Sequence, residues 1–192
     1  MKTCTLFRVN ASIFIVLLYV VLYYIVQKTG LNETRFQSVS FFFLPAMARL
    51  MAALILGLWS IPALFVGGAV CIFAGWYDLG PGVGREFIMN SLSALGAPLG
   101  TYLVLKFRQI HPDLAGLTAK DLICLSAGCA MGNAVFLWFG FILLGLEGPG
   151  HGVLWGIFFG DWIGVWVMVL VLKLALQSFG RILGPATRVG LD

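Results

Sequence analysis

Charge is what this sequence has least of. Only 10% of its 192 residues are Asp, Glu, Lys or Arg, where a soluble globular domain carries about 25%. Too few polar side chains remain to cover a water-facing surface. Histidine is scarce as well: His111 and His151, the two present, fall in loops between apolar runs, which excludes a His-rich metal site. There is no Lys/Arg-rich run with interleaved aromatics of the kind that binds nucleic acid. There is no nucleophile elbow and no glycine-rich phosphate loop. The four cysteines form no CxxC pair; Cys4 lies near the N-terminus and Cys71, Cys124 and Cys129 inside apolar spans, where they read as buried thiols. No catalytic group, metal or cofactor is expected, and the chain is not expected to be an enzyme.

What is abundant is apolar length. Hydrophobic residues make up 60% of the chain and the mean hydropathy is +0.99. About 20 consecutive apolar residues cross a bilayer core, and the long runs here predict an all-α, polytopic transmembrane bundle of about six spans, forming one domain over 1–192. The spans are expected at about Ala11–Val26, Ser38–Trp59, Pro62–Tyr77, Glu86–Leu105, Asp121–Leu146 and Gly152–Leu176. The second and third come from one stretch, too long for a single span, that Ser60-Ile61-Pro62 punctuates as a hairpin. Lys2 and Arg8 before the first run look like a secretory leader, but no small-x-small cleavage site follows, so an uncleaved first span is expected.

The basic residues orient the bundle. An even span count puts both termini on one side with Lys2, Arg8, Lys106, Arg108, Lys120, Lys173, Arg181 and Arg188, and leaves Lys28, Arg35 and Arg85 opposite. That asymmetry predicts cytoplasmic termini in a bacterial inner membrane. The net charge of +4 is therefore a topology signal, and the expected partners are the bilayer and a protein partner or second copy, with no nucleic acid.

Glycine spacing suggests how the helices meet. Gly152, Gly156, Gly160 and Gly164 recur every four residues along the sixth span, nearly on one face. Gly96/Gly100 and Gly128/Gly132 repeat the spacing in the fourth and fifth. Such faces let membrane helices approach closely, and they predict a sixth helix at the centre of the bundle.

Two charges fall inside spans, at a cost of at least about 2.5–3.5 kcal/mol each on insertion scales. Arg49 and Asp161 both follow entry from the same side, and at 1.5 Å per residue both reach roughly 13–17 Å into the bilayer. Equal depth predicts an ion pair. Asn90, Ser91 and Ser93 in the fourth span and Asn133 in the fifth lie at similar or shallower depth. Arg49, Asp161, Asn90, Ser93 and Asn133 therefore form the candidate set, either as a ligand or proton site or as an internal clamp fixing helix register. Pro45 is expected to start the true second helix, leaving Ser40–Phe43 extended.

Four ordered segments resemble the first family of bacterial membrane-associated sensor domains, the MASE group. Phe43-Leu44-Pro45-Ala46 leading to Leu54-Ile55-Leu56-Gly57 resembles its Pro-small helix start, and Ile61-Pro62-Ala63-Leu64-Phe65-Val66-Gly67 is similar to its W-P-G-I-F-L-G segment. Asn90-Ser91-Leu92-Ser93-Ala94-Leu95-Gly96-Ala97 resembles G-N-T-L-E-A-L-L-G-A, with Ser93 where the family has Glu. Gly160-Asp161-Trp162-Ile163-Gly164-Val165 resembles G-D-x-x-G-V. The likeness covers about Ser38–Leu176 and implies a sensor domain. Family members usually run on into a kinase or cyclic-dinucleotide output domain; the tail Gln177–Asp192 is too short for one, so action through a partner is expected.

Two other functions fit the same features. One is a substrate-binding subunit of a small-molecule transporter, like the S-components of energy-coupling-factor importers, with Lys106–Lys120 as its coupling surface. The other is a structural or assembly subunit of a larger membrane complex. A presenilin-like protease is disfavoured: Tyr77-Asp78 and Gly160-Asp161 are similar to its two aspartate motifs, but Phe158 holds the first glycine position of GxGD and Asp78 lies at a span end.

Overall fold

The computed structural model describes residues 2–30, 43–76, 83–110, 117–146 and 151–182, with side chains left undescribed at 2–4, 173 and 175–182. Every regular element among them is helical: α1 (Lys2–Thr29), α2 (Pro45–Leu56), α3 (Ser60–Phe73), α4 (Val83–Phe107), α5 (Ala119–Leu143) and α6 (His151–Ile182), with a 3-10 turn at Gly57–Trp59 between α2 and α3. The expected turn at Glu147–Gly150, the extended segment at Ser40–Phe42 and the tail from residue 183 lie outside the described residues.

Five segments are long and apolar enough to cross a membrane: Thr5–Thr29, Pro45–Phe73, Val83–Phe107, Ala119–Leu143 and His151–Leu172. The expected count of six is thereby corrected to five. The reason is length: α2 has 12 residues and α3 has 14, so at 1.5 Å per residue each arm reaches only about 18–21 Å, short of a 30 Å hydrocarbon core. The segment qualifies only as one 29-residue unit.

That unit nevertheless bends back on itself. Phe43, just before α2, and Trp76, just after α3, both pack on the ring of Tyr23, at centroid distances of 5.7 and 6.4 Å. Between them in sequence, Trp59 lies near the other end of α1, under the guanidinium of Arg8 at 5.4 Å. The chain therefore travels down α1 and returns. Local chemistry places the bend three residues ahead of Ser60-Ile61-Pro62. Gly57 ends α2 at φ +58°, a left-handed conformation that glycine adopts without steric cost. The Ser60 hydroxyl donates to the Gly57 carbonyl at 2.5 Å. Pro62 falls in the first turn of α3, where a missing N–H costs no helix bond.

Helices α4 and α5 pack antiparallel and form the tightest pair. A Cβ on Gly96 would lie 2.5 Å from the Gly132 carbonyl oxygen, and one on Gly100 would lie 2.1 Å from that of Gly128. Here backbone meets backbone, at Gly96, Gly100, Gly128 and Gly132.

The sixth helix does not. Among the described residues α6 packs only on α5 and α2, so it lies at the side of the bundle and not at its centre. Gly152 has open space around it. Gly164 does meet backbone, the carbonyl of Phe43. Gly160 offers its carbonyl to the N–H of Phe43 at 3.2 Å, and Gly156 is only half-buried. A four-residue register keeps successive glycines near one face, but a close contact also needs a backbone opposite, and among the described residues the Phe43 end of α2 supplies it at Gly164.

Candidate functional site

Five polar side chains inside the bundle join into one chain of hydrogen bonds. Asp161 on α6 accepts from Arg49 Nη1 on α2 at 3.2 Å, through Oδ2. The same oxygen accepts from Asn133 Nδ2 on α5 at 2.6 Å. Asn133 Oδ1 in turn accepts from the Ser93 hydroxyl on α4 at 2.8 Å. On the other side, Arg49 Nη2 donates to the hydroxyl oxygen of Tyr19 on α1 at 3.2 Å. Five helices thus contribute one side chain each, in the order Tyr19, Arg49, Asp161, Asn133, Ser93.

Each member is buried, Arg49 and Asp161 to 3% exposure and Asn133 to 1%. Burial makes pairing obligatory, because a lone charge in an apolar interior costs several kcal/mol even after relaxation. Among the described residues no buried side-chain nitrogen or oxygen lacks a hydrogen-bond partner. Aromatic rings add to the cover: the Arg49 guanidinium lies 4.7 Å from the ring centroid of Phe43 and 5.7 Å from that of Tyr19, within cation–π range.

Local structure sets these positions. Pro45 starts α2, and Arg49 follows one helical turn later. The segment before Pro45 is fixed to α6 by the Phe43–Gly160 backbone bond, next to Asp161 in the chain. A direct main-chain tie between helices is unusual in hydrocarbon, where backbone groups must be satisfied within the protein. It sets the height of Arg49 against that of Asp161.

Of the residues singled out from sequence, the structure brings Arg49, Asp161, Asn133 and Ser93 together and leaves Asn90 out. Asn90 Nδ2 donates to the Phe65 carbonyl on α3 at 2.9 Å, and its amide fills the space over Gly68, where a Cβ would clash with it. Asn90 therefore ties α4 to α3, the one helix absent from the chain above. Ser91 turns back to the Phe87 carbonyl of its own helix at 2.7 Å.

Sequence reasoning missed Tyr19. A hydropathy reading counts tyrosine as apolar, yet its hydroxyl usually seeks a partner when buried. The signal was present: Tyr19 and Tyr23 stand four residues apart, on one face of α1, and both are buried. A second omission is the Trp162–Ser126 bond between α6 and α5, Nε1 to Oγ at 3.1 Å.

No three His, Cys, Asp or Glu residues converge among the described residues in a way that could hold a metal. Chemically, the chain can hold a charge pair out of contact with lipid and couple its state to five helix positions. No protein-family model matches this chain, and no curated protein or solved structure is significantly similar to it.

Proposed function

We propose that the chain is a membrane-embedded sensor-type or small-ligand-binding domain acting through a partner protein in the bacterial inner membrane. The observation that carries this reading is the reach of the ion pair. Asp161 is bonded to Arg49 and Asn133, and through them to Tyr19 and Ser93, so any event that changes charge or bonding there alters the packing of five helices together. A two-state element whose equilibrium is biased at one point is what transmits a signal across a bilayer. Two segments of the sensor-family resemblance, those holding Ser93 and Asp161, meet in this chain, which supports the likeness. Ser93 supplies a hydroxyl where the family has a carboxylate, so the pair here has one acid.

Affinity purification from mild detergent with mass spectrometry tests the reading. The expected result is co-purification of a signalling enzyme with a kinase or cyclic-dinucleotide output domain. Recovery of an ATP-hydrolysing coupling subunit would replace it with a transporter subunit, and stoichiometric recovery of a large membrane complex with a structural one.

The proposal carries a topology with both termini cytoplasmic, the α2–α3 unit entering the bilayer and returning to the side it came from. It is supported by the reversal at Gly57–Trp59 and by the distribution of basic residues. Reporters fused after Val9 and at Asp192 are expected to report the same, cytoplasmic side. Reports from opposite sides would mean that Pro45–Phe73 crosses once and would end this topology.

A further inference from the structure

The outer surface of α1 and α3 carries a groove that the chain above does not use. It has a volume of about 380 Å³ and is lined by Ser12, Ile13, Val16 and Leu17 of α1 and by Pro62, Ala63 and Val66 of α3. The lining is almost wholly apolar and opens sideways, toward the bilayer, so a hydrocarbon chain matches it.

One end of the groove is different. Arg8 precedes Ser12 by one helical turn, and Trp59 precedes Pro62 by three residues, so the Arg8–Trp59 contact at 5.4 Å stands at that end. Arg8 is exposed, and among the described residues no carboxylate is paired with it; the two ion pairs present are Arg49–Asp161 and Arg108–Asp121. Trp59 is exposed as well, at 62%, and tryptophan beside a basic residue marks the headgroup level of a membrane.

We propose that this groove binds a phospholipid with an anionic headgroup, its acyl chain lying between α1 and α3 and its phosphate at Arg8. The charge selects the occupant. A second protein helix would fill the apolar part, but it would leave the Arg8 guanidinium without an anion, whereas an anionic lipid satisfies both ends. Such a lipid would hold α1 against the α3 arm of the hairpin. The site is independent of the sensor reading and survives its failure.

The test uses the full chain, purified and delipidated in nonionic detergent, then titrated with phosphatidylglycerol or phosphatidylcholine of identical acyl chains. Bound lipid is counted by native mass spectrometry, and thermal stabilisation is followed in parallel. One basic residue at the membrane surface corresponds to about a fivefold preference for anionic lipid. Wild type is expected to show a preference of that order for phosphatidylglycerol. Arg8→Gln is expected to abolish the preference while still taking up both lipids, and Val66→Trp, which fills the groove from an exposed position, to weaken both lipids alike. Val70→Trp, one turn further along α3 and outside the lining, is expected to bind as wild type does. The preference is a ratio within each variant, so a general loss of stability does not imitate the result. Equal uptake of the two lipids by wild type, or an unchanged preference in Arg8→Gln, overturns the proposal. Efficient disulfide dimerisation of Val66→Cys in native membranes does so too, since it would place a second copy in the groove.

Discussion

Asp161→Asn is expected to destabilise the protein by about 3–5 kcal/mol, the usual cost of breaking a buried ion pair from one side. The asparagine keeps an oxygen to accept from Asn133 but loses the charge that Arg49 faces at 3.2 Å. The guanidinium is then left with the Tyr19 hydroxyl and two aromatic faces as its described company, none of which is an anion. Arg49→Gln is expected to cost a similar amount, because it strands the carboxylate with the Asn133 amide. The double variant is expected to recover part of both losses, since neither unpaired charge remains. Contacting residues typically show coupling of about 0.5–3 kcal/mol in such cycles. Unfolding in one detergent, followed for all four proteins, gives the coupling. Strictly additive losses would mean that the pair does not act as a pair. If the double variant regains stability and keeps its biological activity, the pair is a clamp; if it regains stability and loses activity, the pair reads a ligand or a proton.

Gly100→Leu is expected to prevent α4 and α5 from closing. A first side-chain atom at Gly100 would already lie 2.1 Å from the carbonyl oxygen of Gly128 and 3.0 Å from the Cα of Gly132. Overpacking a core typically costs about 1–3 kcal/mol when side chains can turn aside. Backbone cannot turn aside, so more than about 3 kcal/mol is expected, with loss of the monodisperse folded peak in size-exclusion chromatography. Gly152→Leu provides the comparison: nothing lies within 4 Å of a Cβ there, and leucine is a better helix former than glycine by roughly 0.8 kcal/mol. Its thermal stability should equal or slightly exceed that of wild type. Equal stability of the two variants would contradict the close α4–α5 contact.

The contrast between these glycines shows where the sequence is informative. Composition and apolar length give the helical membrane class directly, because they are properties of single segments. Depth is nearly as local. Arg49 and Asp161 could be matched by counting residues from their helix starts, and Ser93 and Asn133 fell at a compatible height. Rotation about each helix axis is not legible in the same way. Asn90 and Ser93 lie only about 60° apart on α4, given 100° per residue, yet one faces the Phe65 carbonyl and the other Asn133. That outcome depends on which neighbour each face receives, and only the assembled bundle decides it. Gly152 and Gly164, twelve residues apart, have drifted about 120° around α6 at the same 100° per residue, and they do not share a neighbour. The bend at Gly57–Trp59 sits ahead of the proline that suggested it, because a proline in the first turn begins a helix and it is the glycine at positive φ that ends one.

The ion pair has a consequence for how the protein is made. Arg49 and Asp161 are 112 residues apart, and chains emerge from the ribosome N-terminus first at about 5–20 residues per second, so roughly 6–20 seconds separate the two. Throughout that interval Arg49 exists without its carboxylate, and Phe43 without the Gly160 carbonyl that its backbone N–H meets. Of its described hydrogen-bond partners, only Tyr19 has already been synthesised. Among the described partners the tyrosine is thus the one made first, and the bond to Asp161 forms only after the last helix has been synthesised. The pair that joins the second helix to the sixth is therefore closed last, whatever holds Arg49 until then.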